Sequence, residues 1–232
     1  MPEKPAFTIL RDLDQAVEKE IAKYLDEHLY VTPNFDSIKR VSDMAAQRAG
    51  EDLIVTSAKL GLKDAVIDEK SASHFVNSTS LHTFAFELSF FRKDLNGRYT
   101  ILTEGWLMAE EKKTDYYLLV WPFAQKDRII NYEFRNKKYP YFTAEDITHL
   151  EYALVSKETI RNYLIEEGFD EKWLGITMST IRKHAAAQEY AYFKEKFRKL
   201  DFACSAQLRE KPVNVLIEKE TLFELALLSG TC

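Results

Sequence analysis

Glycine is scarce in this sequence. Its 232 residues include seven glycines, and no two stand one residue apart. That excludes the GxGxxG turn of dinucleotide-binding folds and the phosphate-cradling P-loop, which need glycine where backbone amides approach a ligand. Cysteine is scarcer: Cys204 and Cys232 are the two present. Neither a disulfide framework nor a CxxC metal pair is available, which predicts a reducing, cytoplasmic compartment. No apolar run is long enough to predict a membrane span, and residues 1–11 lack the apolar stretch of a secretory signal. GxSxG and HExxH are missing as well, removing the serine-hydrolase elbow and the zinc-protease helix. The five histidines, His28, His74, His82, His149 and His184, have no second ligand at metal-binding spacing.

What is present is enough apolar material for a core: 46% of residues are hydrophobic and 13% aromatic. The formal net charge of −5 argues against a dedicated nucleic-acid coat, because a chain living mainly by phosphate contacts is usually basic. It leaves room for an enzyme, whose metal-binding carboxylates add negative charge at the site itself.

Leu10, Leu13, Val17, Ile21 and Tyr24 recur at helical spacing and predict an amphipathic helix over 9–30. Glu20 lies at the edge of that stripe, and Glu18 points away from it. A second helix is expected over 36–49, ended by Gly50. The period then falls to two. Strands are expected over 52–57, 64–72, 83–91 and 116–121, the last closed by Pro122, with an edge strand over 129–134. Gly61 marks a turn in 59–63, and Asn96-Gly97 marks another. The second half reads as more helical. It has a capping-box pattern at Thr143–Asp146, a helix from Ser156 to Gly168, a helix-rich stretch over 170–200, strands over 202–208 and 213–218, and a last helix over 220–228. The reading is an α/β chain with a core over 1–140 and a helical and hairpin elaboration over 141–232, packed on the same domain.

One constellation carries chemistry. Asp68-Glu69-Lys70 follows the apolar run Ala65-Val66-Ile67. Strand alternation places Asp68 and Lys70 on one face and Glu69 on the other. Asp52 opens the preceding strand, and a hairpin through Gly61 brings the two aspartates together. Two carboxylates on adjacent strands form a hard-oxygen site for Mg²⁺ or Mn²⁺. A lysine beside them orients water or stabilises charge developing on a phosphoryl oxygen. Glu20 is the helix-borne acid best placed to complete the shell. The plain alternative is a pair of solvated strand ends with a surface ion pair.

The order Glu20, Asp52, Asp68-x-Lys70 resembles the PD-(D/E)xK nuclease superfamily, over residues 9–121. The resemblance implies a restriction-endonuclease-like mixed sheet flanked by helices, and metal-dependent cleavage of phosphodiester bonds in DNA or RNA. Asp52 would match the first acid, Asp68 the second and Lys70 the lysine; Glu51 stands where the family commonly has proline. The stretches 47–52, 67–70 and 83–88 are also similar to a group of uncharacterised bacterial proteins. Glu87 is a lone acid within the run Thr83–Leu88, either paired structurally or aimed into the site. Gln47 and Arg48 read as a helix end, with contact to substrate as the alternative.

Two basic clusters bear on a nucleic-acid partner: Lys126, Arg128, Arg135, Lys137 and Lys138 around Tyr132 and Tyr139, and Arg182, Lys183, Lys194, Lys196, Arg198 and Lys199 farther on. Interleaved aromatics suit backbone contact with base stacking; a solvated face is the commoner origin of such runs. The alternatives to a nuclease are a non-catalytic nucleic-acid or protein binding module on the same fold, and a small-molecule hydrolase using the same carboxylates.

Overall fold

The computed structural model describes residues 6–134, 137–187 and 192–232. The first described element is helix α1 (Ala6–His28); of the predicted stripe Val17, Ile21 and Tyr24 are buried and Leu13 is partly buried, the side chain of Leu10 lies outside the described residues, and Leu25 is buried beside them. The expected second helix divides. Its first part is strand β1 (Ser37–Arg40), and only α2 (Met44–Arg48) is helical, capped by the Asp43 carboxylate accepting from Ala46 N at 2.8 Å. A polar tetrapeptide finds partners more readily at a sheet edge than in a helix with no apolar face to bury.

Strands β2 (Leu53–Ser57) and β3 (Leu62–Ser71) form the expected antiparallel hairpin, with Leu53 opposite Ile67. A one-turn 3₁₀ helix over Ser73–Phe75 leads to β4 (Thr83–Lys93), which turns back through Asn96-Gly97 into β5 (Tyr99–Glu104). Strand β6 (Tyr116–Ala124) runs on through Pro122 instead of stopping there. The neighbouring β3 ends opposite Val120, so no ladder bond toward β3 is lost at the proline. The expected edge strand is β7 (Ile130–Phe134), paired with β8 (Lys137–Tyr141) in a two-stranded ladder of its own.

The capping box at Thr143 and Asp146 is real, but it closes a single 3₁₀ turn. The chain then enters strand β9 (Ile147–Ser156) and helix α3 (Lys157–Glu166), capped by Ser156 as expected. The helix-rich stretch is α4 (Glu171–Ala187) and strand β10 (Phe193–Phe197). The chain ends with β11 (Leu200–Cys204), β12 (Val213–Glu218), α5 (Lys219–Leu225) and β13 (Leu228–Thr231).

The architecture is α/β, with a mixed sheet and several helices. A six-stranded sheet has the order β1-β2-β3-β6-β9-β13, in which only β3 and β6 are parallel. A five-stranded antiparallel sheet has the order β10-β11-β12-β4-β5. Helix α1 packs on one face of the larger sheet, against Leu53, Val55, Ile67, Leu118, Val120 and Leu154. The other face presents Tyr117, Leu119, Trp121, Ala153 and Val155 to Phe84, Phe86 and Leu88 of the smaller sheet, in a core that α3 and α4 close. Segments before and after residue 140 share both sheets: β9 and β13 lie in the first, and β12 pairs directly with β4 in the second. Among the described residues no helix is long and apolar enough to cross a membrane.

Candidate active site

The hairpin brings Asp52 and Asp68 together. Asp52 N donates to Ile67 O at 3.1 Å, so Asp52 stands one step beyond the Leu53–Ile67 pair. Its side chain faces away from α1, on the same side as Asp68. The Asp52 Oδ2 accepts from Glu69 N at 2.9 Å, and the two aspartate carboxyls share a hydrogen bond. Burial, then the nearby charge of Asp68, pushes the Asp52 carboxyl up to about 7. Asp68 is buried, with 4% of its surface exposed, and Lys70 Nζ is 2.5 Å from its Oδ1. Gly50, with φ at +83°, lies beside the pair; a Cβ there would collide with Thr114, 2.2 Å from its Oγ1, and stand in ordinary contact with Asp68 Oδ2 at 3.6 Å.

Glu69 leaves the site, as strand alternation requires. It turns toward α1, accepting from Tyr30 Oη at 2.7 Å and Arg40 Nη1 at 2.8 Å. The floor beside Asp68 is aromatic. Tyr117 stands opposite Asp68 in the parallel pairing, donates to Trp106 O at 2.9 Å, and is pushed well above the ordinary tyrosine range by burial and the Asp68 charge. Lys70 Nζ lies 5.6 Å from the centre of the Trp106 ring.

The helix acid at the site is Glu18, not Glu20. The Glu20 Oε2 accepts from Ala144 N at 2.9 Å and caps the 3₁₀ turn on the far side of α1. Glu18 is solvent-accessible, yet desolvation by surrounding chain raises its affinity for a proton, and it feels the charges of Lys70, Asp14 and Asp68. Those are the conditions of a side chain lining a cleft. One helical turn earlier, Asp14 Oδ1 is 3.4 Å from His74 Nε2, and burial raises this carboxyl too. The apolar stripe reports only which face of α1 meets the sheet, whereas Glu18 works beyond the end of β3, where that stripe carries no signal.

Glu87 reaches the edge of the site from the smaller sheet. Its carboxyl is raised by burial against the opposing pull of the Trp106 backbone N–H, Lys112 and Lys70. The strand carrying it is not a simple alternation: a bulge at Leu88 lets Val213 pair with Ser89 and Asn214 with Glu87. Ser89 therefore joins the buried face, where Arg182 Nη2 donates to its Oγ at 2.9 Å. Gln47 is tied to Val41 O at 2.8 Å. The side chains of Arg48 and Lys137, and all of Arg135, lie outside the described residues. The second basic cluster is largely engaged within the fold: Arg182 lies over Phe91, Lys194 pairs with Asp201, Lys199 with Glu167, and Arg198 donates to Gly168 O.

The donor set suits a hard divalent cation. When both carboxyls ionise they carry two negative charges against the one ammonium of Lys70, an excess that a cation relieves. Among the described residues, no three His, Cys, Asp or Glu side chains gather closely enough to hold an ion unaided. Mg²⁺ does not need three, since it keeps several waters and takes one or two carboxylates together with phosphate oxygens. Comparison with protein-family models, curated proteins and solved structures found no match to this chain.

Proposed function

We propose that this chain is a divalent-cation-dependent nuclease of the PD-(D/E)xK kind, hydrolysing phosphodiester bonds of DNA or RNA. One observation carries the reading: Asp52 and Asp68 meet across adjacent strands with Lys70 on the same face, and burial makes Asp14, Glu18, Asp52 and Glu87 hold their protons more tightly than usual. Groups with perturbed titration gathered at one cleft mark functional sites more often than structural ion pairs do. A mixed sheet with a helix on one face, and acids at the ends of paired strands, is compatible with a restriction-endonuclease-like core.

In this reading Asp52 and Asp68 hold Mg²⁺ or Mn²⁺, which when bound polarises a phosphoryl oxygen and acidifies water. Asp68 orients Lys70 through their ion pair, and Trp106 backs the ammonium on its other side. Lys70 then stabilises negative charge developing on the phosphoryl oxygens. Glu18 faces Lys70 across the cleft and accepts a proton from the attacking water. Glu20 takes no part. Glu87 holds the Trp106 backbone and so acts through Lys70.

The test is cleavage of single- and double-stranded DNA and RNA in Mg²⁺ or Mn²⁺. Groups acting as a unit are non-additive, so Asp68→Ala, Lys70→Ala and the double substitution each lose about 100-fold or more. Glu69→Ala keeps its cleavage rate per folded molecule, because its carboxylate is engaged with Arg40 and Tyr30. Cleavage unchanged by Lys70→Ala would overturn the assignment. A non-catalytic binding module is the second reading; it predicts nucleic-acid binding with no cleavage by the wild type.

A further inference from the structure

The ladder β7–β8 belongs to neither large sheet, and β8 packs beside α1 and the 3₁₀ turn that follows the acid strand β3. Tyr139 meets His74 edge-on, with ring centres 5.6 Å apart. His74 contacts Asp14, and Glu18 lies one turn along α1, about 6 Å away by helical rise. The ladder therefore flanks the same mouth that Glu18 and Lys70 line.

Its two faces differ. Ile130 pairs with Tyr141 and Tyr132 with Tyr139, which places these four side chains on one face. Ile130 and Tyr132 remain half-exposed, at 53% and 49%. Lys126 and Arg128 are exposed in the connection that leads into the ladder, whereas Lys138, paired with Glu133, is exposed on its other face. Among the described residues neither Lys126 nor Lys138 forms an ion pair. The segment 126–138 has five basic and two acidic residues, a net charge of +3 within a chain of −5. A positive, aromatic ladder on a negative molecule is complementary to unpaired bases on a phosphate backbone. Exposed rings are stacking platforms that a closed duplex has no free bases to use. A purely apolar partner would have no use for the cations.

We propose that β7–β8 is an arm that binds single-stranded nucleic acid beside the acid pair, with bases on Tyr132 and phosphates on Lys126 and Arg128. The proposal deepens the nuclease reading, and rests on it for the fate of the strand.

Binding and cleavage are measured separately on the full chain. Fluorescence anisotropy in EDTA compares a labelled oligothymidine with a duplex of equal length. The wild type prefers the single strand. Tyr132→Ala weakens binding about 5- to 100-fold, the range for loss of one stacked base. The double substitution K126E/R128E weakens it further and flattens the salt dependence by about 1.4 in log–log slope, for two lost phosphate contacts. These positions are exposed, so thermal melts show unchanged folding. Absence of single-strand binding by the wild type, an equal affinity for duplex, or binding indifferent to these substitutions overturns the arm. Cleavage in Mn²⁺ separates the two readings. Cleavage with KM unaffected by Tyr132→Ala sinks the arm and leaves the nuclease site standing. Arm-dependent binding without any cleavage does the reverse.

Discussion

Asp52 owes its high proton affinity to its position at the start of β2, where its amide is committed to Ile67 O and its carboxyl faces Asp68. That position sets the sign of the pH effect. The folded-state value, about 7, lies above the ordinary 3.8, so the folded chain binds the extra proton between those limits. The cost of ionising Asp52 is absent below about pH 4, grows as pH rises toward 7, and is fully present above it, with a slope of at most about 1.4 kcal/mol per pH unit. Asp52→Asn keeps an oxygen for Glu69 N and an N–H for Asp68. At pH 8 in EDTA it stabilises the fold by about 1–3 kcal/mol, and near pH 4 the gain disappears. Urea melts at the two pH values check this; a gain that is equal at both, or absent, contradicts the shared proton. The acids on strands were legible in the sequence because their period of two leaves little freedom: with Ile67 in the core, Asp68 and Lys70 must share the opposite face. Glu18 was not legible, because a helix phase tells which side meets the sheet and says nothing of what lies past the sheet's end.

Among the elements, the connection from β5 to β6 does most to shape the site, although no motif marks it. Gly105 N donates to Leu88 O at 2.8 Å and Leu107 N to Glu87 O at 3.2 Å, which folds the segment against β4 and sets Trp106 beneath Lys70. Arg161 of α3 holds it from the other side, donating to Leu107 O at 2.9 Å and Met108 O at 2.6 Å. A Cβ on Gly105 would stand 2.3 Å from Glu87 O and 2.4 Å from Glu87 C. Both are backbone atoms, so the segment must shift. Gly105→Ala destabilises by about 3 kcal/mol and, under the proposed function, lowers cleavage with it. Gly97→Ala, in an open turn with nothing within 4 Å of its Cβ and φ at +76°, costs only about 1 kcal/mol. Denaturant midpoints of the pair test the contrast, and equal losses would contradict it. The strands that the sequence pattern does not reveal have physical reasons too. β5, β10 and β13 are edge strands that solvent reaches on one side, so they lack a continuous apolar run. The first turn before β9 carries a genuine helix-start signal, which the 3₁₀ turn uses up before the strand begins.

For the whole molecule, the acid hairpin depends on strands from the far end of the chain. β9 supplies Leu150, Ala153, Leu154 and Val155 to the two cores, all buried, and β12 covers the edge of β4. A fragment of residues 1–140 would leave β6 with an open edge and both cores half-built. It is expected not to fold: circular dichroism shows no cooperative melt and amide NMR signals stay undispersed. A well-dispersed spectrum would restore the division into core and elaboration that composition alone suggests. The pairing of β4 with β12 also has a consequence for how the chain is made. Phe84 meets Ile217 across that ladder, more than half the chain apart. On a ribosome adding 5–20 residues per second, β4 and its hairpin partner β5 are made roughly 5 to 20 seconds before β12 exists. Through that interval β4 presents a bare strand edge of unpaired N–H and C=O groups, the kind of surface that recruits other nascent chains. Slower growth at low temperature, or added holdase chaperone, should therefore raise the soluble yield of this protein more than any change to its acidic cleft.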